Sequence, residues 1–174
     1  PNLERERLAI NKFLFDLLLT AAGLANAQQG NDPQSLVEIT IRSGHAIEGF
    51  MYGTPVIAVP IPNRPCPNVG IVFQEKRRHR DGPRIDNYSA CPGEEPEQIH
   101  DFPPGLPDDP QFQQLVQMAI RGALRYGAHR RDLYDYHIDT RRLSAADPYG
   151  CAQVETIVST MGMLVSYNIG RMCP

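Results

Sequence analysis

The chain has 174 residues, a formal net charge of −3 and 41% hydrophobic residues. That length predicts one domain, or a core domain with an appended helix, and leaves enough apolar material for a sizeable core. The mild acidity excludes a nucleic-acid binder that works by bulk positive charge, despite local basic clusters.

At the start of the chain, Asn2 can cap a helix whose first turn carries Glu4 and Glu6, where the positive end of the helix dipole favours acids. Leu8, Ile10, Phe13, Leu14, Leu17, Leu18 and Ala21 recur at helical spacing until Gly30-Asn-Asp-Pro33 stops the pattern. Residues 1–30 therefore read as an N-terminal helix, and 31–174 as a single α+β domain. The apolar run from Phe13 to Ala25 contains Asp16 and is too short to span a bilayer, so no transmembrane span is expected. No signal peptide is visible, and the chain starts at Pro1 without Met, as a processed product or an excised domain would.

From Ser35 the period changes to two. Val37, Ile39 and Ile41 alternate with Glu38, Thr40 and Arg42, which predicts a half-buried strand. Gly44-His45 turns the chain, Ala46 to Tyr52 gives a second strand, and Gly53-Thr54-Pro55 leads into a third from Val56 to Ile61. The three form a small antiparallel meander. His45 and Glu48 fall on opposite faces of a strand and read as surface residues. Ile71 to Gln74 adds a short strand, and the basic run from Glu75 to Gly82 an exposed loop. Proline is abundant, 16 of 174 residues against a usual share of roughly 5%. Seven prolines and many acids between residues 83 and 110 predict a long ordered loop pinned by Cys91.

Asp109 caps a clear helix with Pro110 at its first position. Phe112, Leu115, Val116, Ala119, Ile120, Ala123 and Leu124 make its buried stripe, and Gly127 ends it. After the polar stretch that follows, Val154, Ile157, Val158, Met161, Leu164 and Val165 fit a helix slightly better than a strand, although Val, Ile and Thr are plentiful there. The fold class is α+β: a small antiparallel sheet, N-terminal and central helices, and a long Pro-rich loop.

Four cysteines, Cys66, Cys91, Cys151 and Cys173, form no Cys-x-x-Cys pair and show no metal-ligand spacing. Three neighbour proline and the fourth follows Tyr-Gly, so all four sit in loops. Two disulfides and an oxidising compartment are expected. Cys66–Cys91 and Cys151–Cys173 are the favoured pairing, each closing a loop of roughly two dozen residues.

The chemistry concentrates in residues 126–142, Tyr-Gly-Ala-His-Arg-Arg-Asp-Leu-Tyr-Asp-Tyr-His-Ile-Asp-Thr-Arg-Arg. If Asp132 to Asp139 is one strand, Leu133, Asp135, His137 and Asp139 share one face, and Tyr134, Tyr136 and Ile138 the other. Arg130–Arg131 and Arg141–Arg142 bracket the segment. Carboxylates, an imidazole and flanking cations suit a divalent ion, a proton transfer or a phosphate. The same residues also suit an edge strand with a solvated polar face.

Asp132-Leu-Tyr134-Asp135, followed six residues later by Arg141-Arg142, resembles the active-site signature of colicin M-type bacteriocins: Asp-x-Tyr-Asp, five residues, then His-Arg. Asp132, Tyr134, Asp135 and Arg142 fall on the pattern. Arg141 takes the family's histidine position, with His137 nearby as a substitute. Glu155-Thr-Ile-Val-Ser-Thr-Met-Gly162 is loosely similar to the Glu…Thr-Arg-x-Gly stretch that follows the signature. The resemblance implies a secreted or periplasm-acting antibacterial toxin. Such a toxin hydrolyses the undecaprenyl-pyrophosphate linkage of lipid II, a lipid-linked cell-wall precursor, with a divalent ion such as Mg²⁺, and an immunity protein is its expected partner. Asp132, Tyr134, Asp135, His137 and Arg142 are then the catalytic set, and Asp135 and Asp139 the metal ligands. An ion held by Asp132 or Asp135 neutralises diphosphate charge, and Arg142 clamps a phosphate oxygen in bidentate fashion. A carboxylate or His137 positions and deprotonates water, and Tyr134 orients the group. Asp135 is the acid expected to be least replaceable.

Two other classes compete. A disulfide-bonded, Pro-rich α+β domain suits a non-enzymatic binding module, such as an inhibitor, an immunity protein or a surface-assembly protein. That class needs an exposed apolar patch and no cleft around Asp135. A thiol enzyme would use Cys66 or Cys91 as nucleophile and His100 as base, although the prolines flanking Cys66 make helix-terminal activation awkward.

Overall fold

The computed structural model describes residues 32–63, 65–74, 83–101 and 103–174. The helix expected over 1–30 and the basic loop at 75–82 lie outside the described residues. The first described element is a helix, α1 (Pro33–Ser43), where sequence alternation predicts a strand. Its ends explain the difference. The Asp32 carboxylate accepts from the Ser35 backbone N–H at 2.9 Å, and Pro33 sits in the first turn. Gly44 closes the helix at φ 66°, a left-handed conformation that glycine adopts without penalty. The buried side chains, Leu36, Val37 and Thr40, are spaced for a helix face rather than for alternate strand positions.

Five antiparallel strands follow in sequential order: β1 (Ile47–Met51), β2 (Thr54–Ile61), β3 (Asn68–Phe73), β4 (Ile85–Ser89) and β5 (Glu97–Ile99). The last two lie in the stretch expected to be one long loop. Asp86 and Asn87 are poor strand formers by composition; Asp86 pairs locally with Arg84, and tertiary contacts hold Asn87. The buried Asn87 side chain accepts from the Leu164 N–H at 2.7 Å and donates to the Leu164 carbonyl at 3.2 Å.

The chain then forms α2 (Pro110–Tyr126) and a second antiparallel sheet of β6 (Ala128–Leu133), β7 (Tyr136–Arg142), β8 (Ala152–Thr160) and β9 (Met163–Met172), again in sequential order. Here α2 is the expected helix, with the Asp109 carboxylate accepting from Gln111 N–H at 2.9 Å. The helix expected near 154–165 is instead the β8–β9 hairpin. Its β-branched residues pair across strands on both sides, a gain that short-range periodicity cannot register.

The layers run helix, sheet, sheet, helix. Leu36 and Val37 of α1 pack on Val56, Ala58, Val69 and Ile71. On the other face of that sheet, Ile57, Val59, Ile61 and Val72 meet Leu164, Ile157 and Tyr167 of the second sheet. A side chain at Gly70 would strike Leu164, so glycine allows the two sheets their close approach there. Beneath the second sheet, Phe112 and Ala119 of α2 pack on Tyr136, Ile138 and Val158, and Phe112 meets Tyr136 edge-on with ring centroids 5.4 Å apart.

Both disulfides form as paired above, Cys66–Cys91 across 25 residues and Cys151–Cys173 across 22. The thiol-enzyme reading fails, because neither Cys66 nor Cys91 keeps a free thiol. Replacing Cys66 and Cys91 together by serine is expected to lower stability by about 3 kcal/mol, since the bridge restricts the unfolded chain. Urea unfolding of the double variant checks this, and an unchanged midpoint would show that the link contributes nothing.

Candidate functional site

The polar stretch is a hairpin rather than one strand. β6 ends at Leu133, Tyr134 and Asp135 form a two-residue turn, and β7 begins at Tyr136. The turn lacks the glycine or asparagine usual in a two-residue hairpin, so Asp135, a turn-favouring residue, is its one weak signal in the sequence. Tyr134 takes φ 53° to make it. Direction and facing both change as a result. Asp132 now stands opposite His137, and Arg130 opposite Asp139. The face expected to hold Leu133, Asp135, His137 and Asp139 is therefore not formed. Leu133 packs towards α2 with Tyr136 and Ile138, Asp135 belongs to the exposed turn, and Arg130 and Asp132 take their places beside His137 and Asp139.

The assembled face is closely wired. The Asp132 carboxylate lies 2.6 Å from His137 Nδ1. Arg130 Nε donates to the same oxygen at 3.3 Å and approaches the Asp139 carboxylate at 3.8 Å. The hydrogen bond from His137, helped by Arg130, holds the Asp132 carboxyl below the usual carboxylate range. Burial pushes Asp139 the other way, upward, with Arg130 opposing. Two carboxylates on one face are thus driven apart in acidity.

Next along β7, Arg141 stands opposite Glu155 of β8, which is only 3% exposed. Arg141 Nη2 meets Glu155 Oε2 at 2.9 Å, and Arg141 Nη1 donates to His45 Nδ1 at 2.9 Å. The Tyr167 hydroxyl donates to Glu155 Oε1 at 3.0 Å. Burial first, and the Glu155 charge second, raise the Tyr167 phenol well above its ordinary value. His45 is exposed, as expected, and from the turn between α1 and β1 it reaches across to the second sheet.

Between the sheets this leaves a cleft of about 420 Å³. Arg130, Asp139, Arg141 and Ser159 line one wall, and Pro60, Ile61 and Pro62 supply a largely apolar strip opposite. Of the residues expected to be catalytic, Asp132 and His137 share the sheet face of this wall but lie beside the cleft, outside the residues that line it. Tyr134 and Asp135 sit at the hairpin tip. Arg142 points away from the face and donates to the Leu124 carbonyl at 2.9 Å, closing the end of α2. Of the two expected metal ligands, Asp139 is on the cleft wall and Asp135 on the tip. Among the described residues no group of three or more His, Cys, Asp or Glu side chains is disposed to hold a metal ion. Arg130, Arg141, Glu155 and His45 complete the site. The sequence marks Arg130 and Arg141 as flanking cations, but what they meet depends on distant residues: Glu155 through the β7–β8 register and His45 through a side-chain hydrogen bond.

No family model, curated protein or solved structure matches the chain. Fold and site define a disulfide-bonded α+β domain with a polar-walled cleft between stacked sheets. The two disulfides fit an oxidising environment. Among the described residues no helix is long and apolar enough to cross a membrane.

Proposed function

We propose that this chain is a secreted or periplasm-acting hydrolase of a lipid-linked pyrophosphate, an antibacterial toxin-like activity directed at a cell-wall precursor of the lipid II type. The observation that carries the reading is the Asp132–His137 pair, 2.6 Å apart, on the same face as Asp139. A carboxylate on Nδ1 fixes the imidazole tautomer and frees Nε2 to act as a base. In this scheme His137 Nε2 takes a proton from water as the water oxygen attacks phosphorus. The bond between phosphorus and the lipid oxygen breaks. Asp139, whose acidity is weakened by burial, returns a proton to that oxygen, so a polyprenol leaves and the sugar keeps the pyrophosphate. Carboxylates pushed in opposite directions are the expected arrangement for such divided roles.

Arg130 and Arg141 line the cleft and oppose the negative charge that grows on the phosphoryl oxygens. Pro60, Ile61 and Pro62 offer apolar surface to the first isoprenyl units. The test is incubation of the oxidised protein with a lipid II-type substrate in buffer containing Mg²⁺, followed by product analysis. Free polyprenol together with the pyrophosphoryl-sugar is the expected result. Intact substrate would end the hydrolase reading in favour of a disulfide-bonded binding module.

A further inference from the structure

Two hairpin turns project from the same edge of the second sheet. Tyr134-Asp135 joins β6 to β7 and Met161-Gly162 joins β8 to β9, and the pairing of Tyr136 with Thr160 sets them side by side. Two strand spacings put them roughly 10 Å apart. Both turns place a bulky side chain where backbone sterics disfavour one: Tyr134 and Met161 each have φ 53°. Asn or Gly is the usual occupant of such a position. Neither side chain recovers that cost by burial, since each is 71% exposed.

The backbone beneath is firmly held. Asn68 Nδ2 donates to the Gly162 carbonyl at 2.7 Å, and the Tyr136 hydroxyl to the Gly105 carbonyl at 2.7 Å. Rigid turns therefore hold two bare apolar side chains outward, next to the Asp132–His137 pair. We propose that the Tyr134 and Met161 tips form a membrane-docking edge, which enters the interfacial layer of a lipid bilayer and sets the Asp132–His137 pair against it.

Three considerations select a bilayer as the occupant. Two separate side chains offer far less than the roughly 800 Å² per partner that a stable protein complex buries. A tyrosine, with an apolar ring and a polar hydroxyl, suits the membrane–water boundary. The third rests on the hydrolase reading: a lipid-linked substrate presents its pyrophosphate at that boundary, two residues from the tip on either strand.

The experiment is co-sedimentation with phosphatidylcholine vesicles, using wild type, the double variant Tyr134→Asn with Met161→Asn, and His137→Ala. Asparagine tolerates the left-handed turn, so the double variant should melt at the wild-type temperature or higher while its vesicle affinity falls at least tenfold. His137→Ala should bind vesicles as wild type does. No binding by wild type, equal binding by the double variant, or a marked fall in its melting temperature would each overturn the proposal. Vesicle binding without release of polyprenol would remove the hydrolase reading and leave the docking edge standing. Release of polyprenol without vesicle binding would do the reverse.

Discussion

Glu155→Ala is expected to destabilise the fold by about 3 kcal/mol, the low end for a broken buried ion pair. The carboxylate is 3% exposed and takes hydrogen bonds from both Arg141 and Tyr167. Its removal strands a phenol and, on the cleft wall, a guanidinium. Arg141 keeps 39% of its side-chain surface in solvent, which limits the charge penalty and sets the estimate at the low end. Glu155→Gln keeps the shape and one acceptor, so it should cost about half as much. Chemical unfolding of the two variants measures the difference. Equal stability for both and for wild type would mean that the cluster holds nothing together.

The second large effect is on rate. Asp139→Asn removes the proposed acid and is expected to lower hydrolysis about 10²–10⁴-fold. Stability should move in the opposite direction, and the sign follows from linkage. Asp139 has a folded-state pKa raised by burial, so the native state holds the proton more tightly than the unfolded chain. Stability is therefore lost as pH climbs from the unfolded pKa through the folded one. Asparagine abolishes that loss. The variant should melt higher than wild type at neutral pH, and the gap should close towards acid, below both pKa values. Arg130 keeps Asp132 as a partner throughout. Asp132 itself has a lowered pKa and contributes with the opposite slope: its stabilisation is present above the unfolded pKa and fades as pH falls through the folded one. A variant that stays active, or that melts lower at neutral pH, would refute the assignment of Asp139.

The parts of the fold that could be read from sequence are those whose signals are local. Asp109, Pro110 and Gly127 delimit α2, and its apolar stripe names the face that meets the sheet. The cysteines pair as nearest neighbours along the chain. Where the deciding partner is distant, the reading fails. Val37, Ile39 and Ile41 alternate convincingly, yet Asp32-Pro33 starts a helix there. Val154 to Val165 fits a helical period, but Met161-Gly162 folds it into two strands.

The site divides in the same way. Asp132, His137 and Asp139 are visible as a polar cluster, while the weakly signalled turn at Tyr134-Asp135 decides which of their neighbours join them. Glu155 entered only through a loose resemblance, and its pairing with Arg141 depends on the β7–β8 register. The hydrogen bond from Arg141 to His45 spans 96 residues, a separation no motif can bridge.

Sequence resemblance and geometry favour different residues, and one measurement separates them: kcat/KM for release of polyprenol from a lipid II-type substrate, compared among wild type, His137→Ala and Asp135→Asn. His137 is the base on the sheet face, whereas Asp135 is an exposed turn residue. Hydrolysis should fall about 10²–10⁴-fold in His137→Ala and stay within about threefold of wild type in Asp135→Asn, both proteins remaining folded. Full activity in His137→Ala, or its loss in Asp135→Asn alone, would contradict the account.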